Sequence, residues 1–116
     1  MHEFSQTISV ILPTLNPGGQ ITVLLDKLIS QSLSPAEIIV VDSQSDDGTP
    51  ALVSQYIANH TGQNIRFIGI ERKDFDHGAT RDMALRESNG DFVLFLTQDA
   101  MPANKHYIEN LMKPFF

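Results

Sequence analysis

Cysteine is absent from the 116 residues. Its absence excludes disulfides, a thiol nucleophile and cysteine-ligated zinc, and fits an intracellular setting. Basic charge is scarce: 8 Lys and Arg stand against 14 Asp and Glu, a net charge of -6. Binding to a nucleic-acid backbone depends on cations that release counterions, so no nucleic-acid partner is expected. Long apolar runs are missing too, and no segment approaches the roughly 18 apolar residues of a transmembrane helix. Met1 to Gln6 is polar without a basic start, and the apolar stretch after it is broken by Pro13, unlike a signal peptide. The expected location is cytoplasmic; membrane contact, if any, is peripheral, at the inner face, or lies in chain outside these residues. There is no internal repeat, linker or low-complexity tract, so residues 1–116 are expected to form a single domain.

What is present is an ordinary globular composition, 41% hydrophobic and 19% charged. The few cations are unevenly placed. Arg66, Arg72, Lys73, Arg81 and Arg86, five of the eight, share a 21-residue window with four acids, which reads as a solvated mixed face.

Hydrophobic periodicity alternates between two kinds of segment. Thr7 to Leu15 is rich in aliphatic and β-branched residues and is cut off by Pro13, Asn16, Pro17 and Gly18-Gly19, a strand followed by a turn. Ile21, Leu24, Leu25, Leu28 and Ile29 then fall on one helical face that Ser34-Pro35 ends. Glu37 to Val41 is a second strand with four consecutive apolar β-formers, implying burial on both faces. Leu52, Val53, Tyr56 and Ile57 mark a second helix up to about His60. Ile65 to Ile70, interrupted by Arg66 and Gly69, reads as a half-exposed strand near a sheet edge. Asp74 to Gly78 reads as a loop, and Ala79 to Glu87 as a short helix turning Met83 and Ala84 inward. Phe92 to Leu96 is a run of five apolar residues, again implying a strand buried on both faces. A last helix is expected from about Asn104 to Lys113. The order βαβαβαβα calls for an open, mainly parallel α/β sheet with helices on both faces.

In such a sheet the carboxyl ends of the strands share one edge, where ligands bind. Thr14 and Asn16 follow the first strand, Asp42 and Ser43 the second, and Thr97, Gln98 and Asp99 the fourth. A carboxylate such as Asp99 there could hold a hard cation that in turn holds phosphates, or could simply open the next helix. Neither the Gly-x-Gly-x-x-Gly fingerprint nor a P-loop is present. Gly18-Gly19 is compatible with an anion at a helix N-terminus and equally with a plain turn.

Four stretches carry a resemblance: Ser-Val-Ile-Leu-Pro-Thr-Leu-Asn (9–16), Ile-Ile-Val-Val-Asp-Ser-Gln-Ser-Asp-Asp-Gly-Thr (38–49), His-Gly-Ala-Thr-Arg-Asp (77–82) and Asn-Gly-Asp-Phe-Val-Leu-Phe-Leu-Thr-Gln-Asp-Ala (89–100). In order and spacing they resemble the N-terminal half of family 2 inverting glycosyltransferases of the GT-A fold, a Rossmann-like half. His-Gly-x-Thr-Arg and Leu-Thr-Gln-Asp-Ala are most similar to the bacterial rhamnosyltransferase branch. The resemblance implies a donor-nucleotide half, cut off before the acceptor-binding half. It would serve transfer of a sugar from a UDP- or dTDP-sugar to an acceptor hydroxyl with inversion.

It also implies roles for residues. The backbone at Pro13 and Thr14 would line a pyrimidine pocket, and Asp42 would accept the base N3-H. Asn16, Ser43, Thr97 and Gln98 would sit by the nucleotide. Asp99 would take the place of the last acid of an Asp-x-Asp motif and hold Mg²⁺ or Mn²⁺. Arg81 would stand near the phosphates, or else pair with Asp82 or Glu87 on a helix surface. Two positions depart from the pattern: Ser43 replaces a second acid after strand two, and Thr97 replaces the first acid of Asp-x-Asp. His77 reads more readily as a structural loop residue than as a ligand or base. The general base is expected beyond Phe116, so no catalytic residue is named. A further expectation is that an uncovered fourth strand or the C-terminal helix leads the chain to self-associate. The rival reading is a non-catalytic nucleotide- or partner-binding module of the same fold.

Overall fold

The computed structural model describes residues 6–72 and 77–115, the side chains of His77 and Gly78 excepted. Four strands, β1 (Ile8–Thr14), β2 (Glu37–Asp42), β3 (Ile65–Gly69) and β4 (Phe92–Phe95), alternate with four helices, α1 (Gln20–Ile29), α2 (Thr49–Asn59), α3 (His77–Glu87) and α4 (Tyr107–Met112); a 3₁₀ turn (Lys113–Phe115) follows. The sheet is parallel in the order β3-β2-β1-β4. The α/β architecture expected from the periodicity is therefore present. The loop expected over Asp74 to Gly78 falls largely outside the described residues, and α3 begins two residues before Ala79.

The pleat divides the sheet into two faces. Ile8, Val10 and Leu12 of β1, Ile38 and Val40 of β2 and Ile65 of β3 pack with Leu24, Leu25 and Leu28 of α1, Val53 and Tyr56 of α2, and Ile108 and Met112 of α4. Ile11, Ile39 and Val41 face the other way, where Ala84 of α3 is the buried helical residue and Met83, Val93 and Phe95 add to the cluster. Three helices thus cover one face and α3 the other. Both central strands are buried, as the consecutive apolar residues Val10 to Leu12 in β1 and Ile38 to Val41 in β2 require.

The fourth strand differs from expectation. Among the described residues it pairs with β1 alone, from Ile8↔Phe92 to Ile11↔Phe95, and its four residues are half-buried rather than buried on both faces. An apolar run reports the greasiness of a strand, whereas its place at an edge is decided by topology. β3 is the opposite edge, as its interrupted pattern suggests. No helix among the described residues is long and apolar enough to cross a membrane.

A polar network crosses the α3 face near the amino ends of the strands. Glu37 is buried, accepting from the Ser9 hydroxyl at 2.6 Å and the Asn89 N–H at 2.5 Å; its other oxygen faces Arg66 at 3.6 Å. Ser9 Oγ in turn accepts the Gly90 N–H at 2.8 Å. Burial works against the charged form of Glu37. The Ser9, Asn89 and Arg66 groups outweigh it and hold the carboxyl below its ordinary range. The turn from α3 into β4 is tied to β1 and β2 through this carboxylate. A side chain at Gly90 would lie 2.5 Å from Ser9 Oγ and 2.6 Å from its backbone nitrogen, so this position is confined to glycine by close approach.

Candidate nucleotide site

A cleft of about 540 Å³ opens at the carboxyl edge of the sheet. It is lined by Pro13, Thr14 and Leu15 at the end of β1, Ser43 after β2, Arg72 after β3, Arg81 of α3, and Phe95, Leu96, Thr97 and Gln98 at the end of β4. Its size suits a small organic ligand, and its walls combine apolar surface with a few polar groups. All four strand ends contribute, the convergence expected of a parallel sheet.

The cleft exists because the β1–β4 ladder stops early. Leu96 N–H donates to Ile11 C=O at 3.0 Å, the last such bond. Pro13 has no N–H to offer further along. On its other side β1 stays paired to β2 through Thr14↔Asp42, with Ser43 N–H donating to Thr14 C=O at 2.9 Å. The seam therefore opens on the β4 side alone.

The two loops beside it are laced together. Asp47 accepts the Gly18 N–H at 2.7 Å with one oxygen and the Thr49 hydroxyl at 2.5 Å with the other. The Thr49 hydroxyl foremost holds the Asp47 carboxyl below its ordinary range. Asn16 N–H donates to Ser45 Oγ at 2.8 Å, and Asn16 Oδ1 accepts the Asp46 N–H at 2.9 Å. Asn16 (φ 49°) and Gln44 (φ 59°) both adopt left-handed backbone at this edge, a conformation Asn tolerates better than most residues. The Gly18-Gly19 segment is accordingly a turn whose leading N–H is met by Asp47, not by a free anion.

The expected site residues separate into two groups. Pro13, Thr14, Ser43, Arg81, Thr97 and Gln98 line the cleft, whereas Asn16, Asp42 and Asp99 do not. Asp42 is buried, accepting the Thr14 hydroxyl at 2.5 Å, the Ser45 hydroxyl at 2.6 Å and the Ser45 N–H at 2.9 Å. These bonds hold strand end and loop together. Ser43, one residue on, is 2% exposed and belongs to the cleft wall, and its Oγ has no hydrogen-bond partner among the described residues. The alternation of the pleat separates the two: Asp42 shares the side of Ile38 and Val40, Ser43 that of Ile39 and Val41. A buried hydroxyl without a partner carries a desolvation cost.

Arg81 pairs with neither Asp82 nor Glu87. Asp82 is bonded to Arg86 and Glu87 to Arg66, while the Arg81 guanidinium lies 4.7 Å from the centroid of the Phe95 ring. Arg72 was not singled out by sequence. It reaches the cleft from the end of β3, its guanidinium bonded to Gln44 C=O at 3.2 Å and 3.7 Å from Asp46. The crowding of cations between residues 66 and 86 was its only signal. Gln98 lines the cleft but gives its amide to the backbone of Leu15, accepting the N–H at 2.8 Å and donating to the C=O at 3.1 Å. Asp99 is exposed in the turn that follows, which Ala100 N–H closes onto Thr97 C=O at 3.0 Å.

Comparison with known proteins agrees with this geometry. Residues 9–116 match the model of Glycosyl transferase family 2. The O-antigen chain rhamnosyltransferase RfbN of Salmonella typhimurium is 38% identical over 109 residues, covering 93% of this chain and 33% of that protein. Among solved structures, the mannosyltransferase PcManGT from Pyrobaculum calidifontis, in complex with GDP-Man and Mn²⁺, superposes with a TM-score of 0.84 at 28% identity, over 95% of this chain and 32% of that one. S. aureus TarS in complex with UDP superposes with a TM-score of 0.71 at 31% identity, over 92% and 31%. The chain spans about a third of the length of these relatives. With the family model matched over nearly all of its length, the chain belongs to glycosyl transferase family 2.

Proposed function

We propose that the cleft binds the nucleoside diphosphate of a nucleotide-sugar donor, and that the chain is the single donor-binding domain of a glycosyltransferase acting on an acceptor hydroxyl. The observation that carries this is the buried Ser43 hydroxyl, without a partner among the described residues, in a wall that also presents Arg72 and Arg81. A hydroxyl in want of a partner suits a base edge, and two guanidinium groups suit a diphosphate. Ser43 thereby takes the base-edge role that the resemblance assigns to Asp42, whose carboxylate is engaged by Thr14 and Ser45. Pro13, Thr14, Phe95 and Leu96 supply the apolar floor, with Thr97 at its rim.

In the transfer, the acceptor oxygen attacks the anomeric carbon, its proton passes to a general base, and the bond to the diphosphate breaks with the electron pair leaving on the nucleotide. Attack from the face opposite the leaving group inverts the anomeric centre. The arginines counter the charge gathering on the diphosphate. The base and the acceptor pocket belong, in this reading, to chain beyond Phe116.

A divalent cation fits the arrangement in one way. Among the described residues no three His, Asp or Glu side chains gather. Asp99 would therefore be the carboxylate ligand offered here, with phosphate and water completing an oxygen shell around Mg²⁺ or Mn²⁺. Bound so, the cation would neutralise the leaving diphosphate. The bound nucleotides of the two superposed structures differ, GDP-Man in one and UDP in the other, so the choice of base is part of the test. Cytoplasmic work, with peripheral contact at the inner membrane face, remains part of the proposal.

Calorimetry of the chain with UDP, dTDP, GDP and uridine, with and without Mn²⁺, tests the reading. Binding of a pyrimidine diphosphate in preference to GDP and to the bare nucleoside is expected. No binding of any diphosphate would overturn it.

A further inference from the structure

The strongest feature that the donor-site reading does not use is the side chain of Gln98. Its amide meets the backbone of Leu15 twice, Oε1 accepting the N–H at 2.8 Å and Nε2 donating to the C=O at 3.1 Å. A primary amide here does what a neighbouring peptide group does in a ladder. It acts where the ladder has ended, since the last β1–β4 backbone bond is Leu96 N–H to Ile11 C=O.

The cleft floor is the gap between these two ties. Pro13 and Thr14 lie on its β1 side, Leu96 and Thr97 on its β4 side. Without the second tie, the chain after Phe95 is attached to β1 at one end of the gap alone. Asp99 is the next residue, held in the same tight turn by Ala100 N–H to Thr97 C=O and Met101 N–H to Asp99 C=O, at 3.0 and 2.9 Å. Whatever fixes Gln98 against Leu15 therefore fixes the Asp99 backbone relative to the floor. Asp99 itself is exposed, and no hydrogen bond of its side chain to a described residue restrains it.

We propose that Gln98 is a positioning residue: a two-bond clamp on the Leu15 peptide that sets the width of the cleft and the distance between the nucleotide on its floor and the Asp99 carboxylate. The inference rests on the donor-site reading and adds to it. Carbonyl and amino ends of the amide are both required. Glutamate at this position keeps an acceptor for the Leu15 N–H but sets a second oxygen against the Leu15 carbonyl. Methionine keeps the length and offers neither partner.

The test is UDP binding to the 116-residue chain by calorimetry, with and without Mn²⁺, for wild type, Gln98→Met and Gln98→Glu. Hydrogen exchange at the Leu15 amide is read in the same proteins, and exchange in the β1–β2 ladder serves as the measure of folding. Expected is a wild-type gain in UDP affinity of tenfold or more on adding Mn²⁺. In both variants that gain should fall to about twofold or less, and Leu15 exchange should speed at least tenfold while the ladder stays protected. If the variants keep the full Mn²⁺ gain, or Leu15 exchange is unchanged, the clamp is overturned and the donor site stands. If wild type binds UDP with no gain from Mn²⁺, the clamp's role toward Asp99 is overturned. If wild type binds no diphosphate, the donor-site reading falls and the clamp's role falls with it.

Discussion

Thr14 and Asp42 sit opposite each other at the ends of β1 and β2, and the Thr14 hydroxyl donates to Asp42 Oδ1 at 2.5 Å. With the Ser45 hydroxyl and N–H on the same carboxylate, this pair closes the edge of the sheet that carries the cleft. The carboxylate that reads as the base-recognising acid thus also ties the two strand ends and the following loop together. Asp42→Ala should cost about 2 to 3 kcal/mol of stability, the range for removing a charged acceptor from buried donors. Denaturant titration measures it. A loss under 0.5 kcal/mol together with abolished nucleotide binding would return the recognition role to Asp42.

Ser43→Ala separates the two neighbours. Removing a buried hydroxyl that lacks a partner should leave stability unchanged or raise it slightly. If the hydroxyl bonds the nucleotide, the same change should weaken UDP binding by about 1 kcal/mol, roughly fivefold. Thermal melts and calorimetry on one preparation read both. A stability loss without a binding loss would assign Ser43 to the fold.

Much of the fold was legible because its cause is local. The runs in β1 and β2 and the i, i+3, i+4 spacing of Ile21, Leu24, Leu25 and Leu28 state burial directly, and those residues are buried. Edge position was less legible: Phe92 to Leu96 is as apolar as Ile38 to Val41, and pairing 80 or so residues apart in sequence decided which lay inside. Within the site, polar strand ends located the cleft correctly. Which of two adjacent residues faces it depends on which sheet face α3 covers, and that is not written at Asp42 or Ser43. Gln98 and Asp47 reach backbone groups across the edge, at Leu15 and Gly18, through contacts that no spacing rule announces.

The Arg72 and Arg81 pair makes a charge-based prediction. Arg81→Ala should lower UDP affinity several-fold and leave the weaker uridine affinity nearly unchanged, because the guanidinium is assigned to the phosphates and not the base. Rising salt should narrow the difference between wild type and variant, as screening weakens the attraction. Calorimetry with the two ligands at two salt concentrations measures this. An equal loss for uridine would place Arg81 against the base or the fold instead.

Glu37 predicts the acid limit of the fold. Its folded-state carboxyl titrates below the ordinary value of 4.5, so the charged form is favoured by folding. The stability this contributes is complete above about pH 4.5 and is lost as pH falls through the folded value. Glu37→Gln should lower stability at neutral pH by about 1 to 3 kcal/mol and flatten the decline between pH 5 and 3. Urea midpoints across that range measure it. A decline of unchanged steepness in the variant would assign acid sensitivity to other carboxylates.

The outer side of β4 meets no further strand among the described residues. An edge with unpaired N–H and C=O groups is a template for another chain. The Phe115 ring lies tilted against Phe92 of that strand with centroids 5.9 Å apart, yet Phe115 remains 63% exposed, and Leu111 on α4 is exposed as well. Phe115 thus adds exposed apolar surface beside the open edge, and Leu111 adds more on α4. The 116-residue chain should therefore self-associate with rising concentration, and a Leu111→Glu, Phe115→Glu double variant should shift it toward monomer. Both side chains are partly exposed, and the variant gives up the Phe115–Phe92 ring contact, so its stability should fall by about 0.5 to 1.5 kcal/mol. Size-exclusion chromatography with light scattering over a hundredfold range of concentration provides the measurement. A wild-type chain that stays monomeric throughout would remove the argument from the edge, and association untouched by the double variant would move the contact away from this rim.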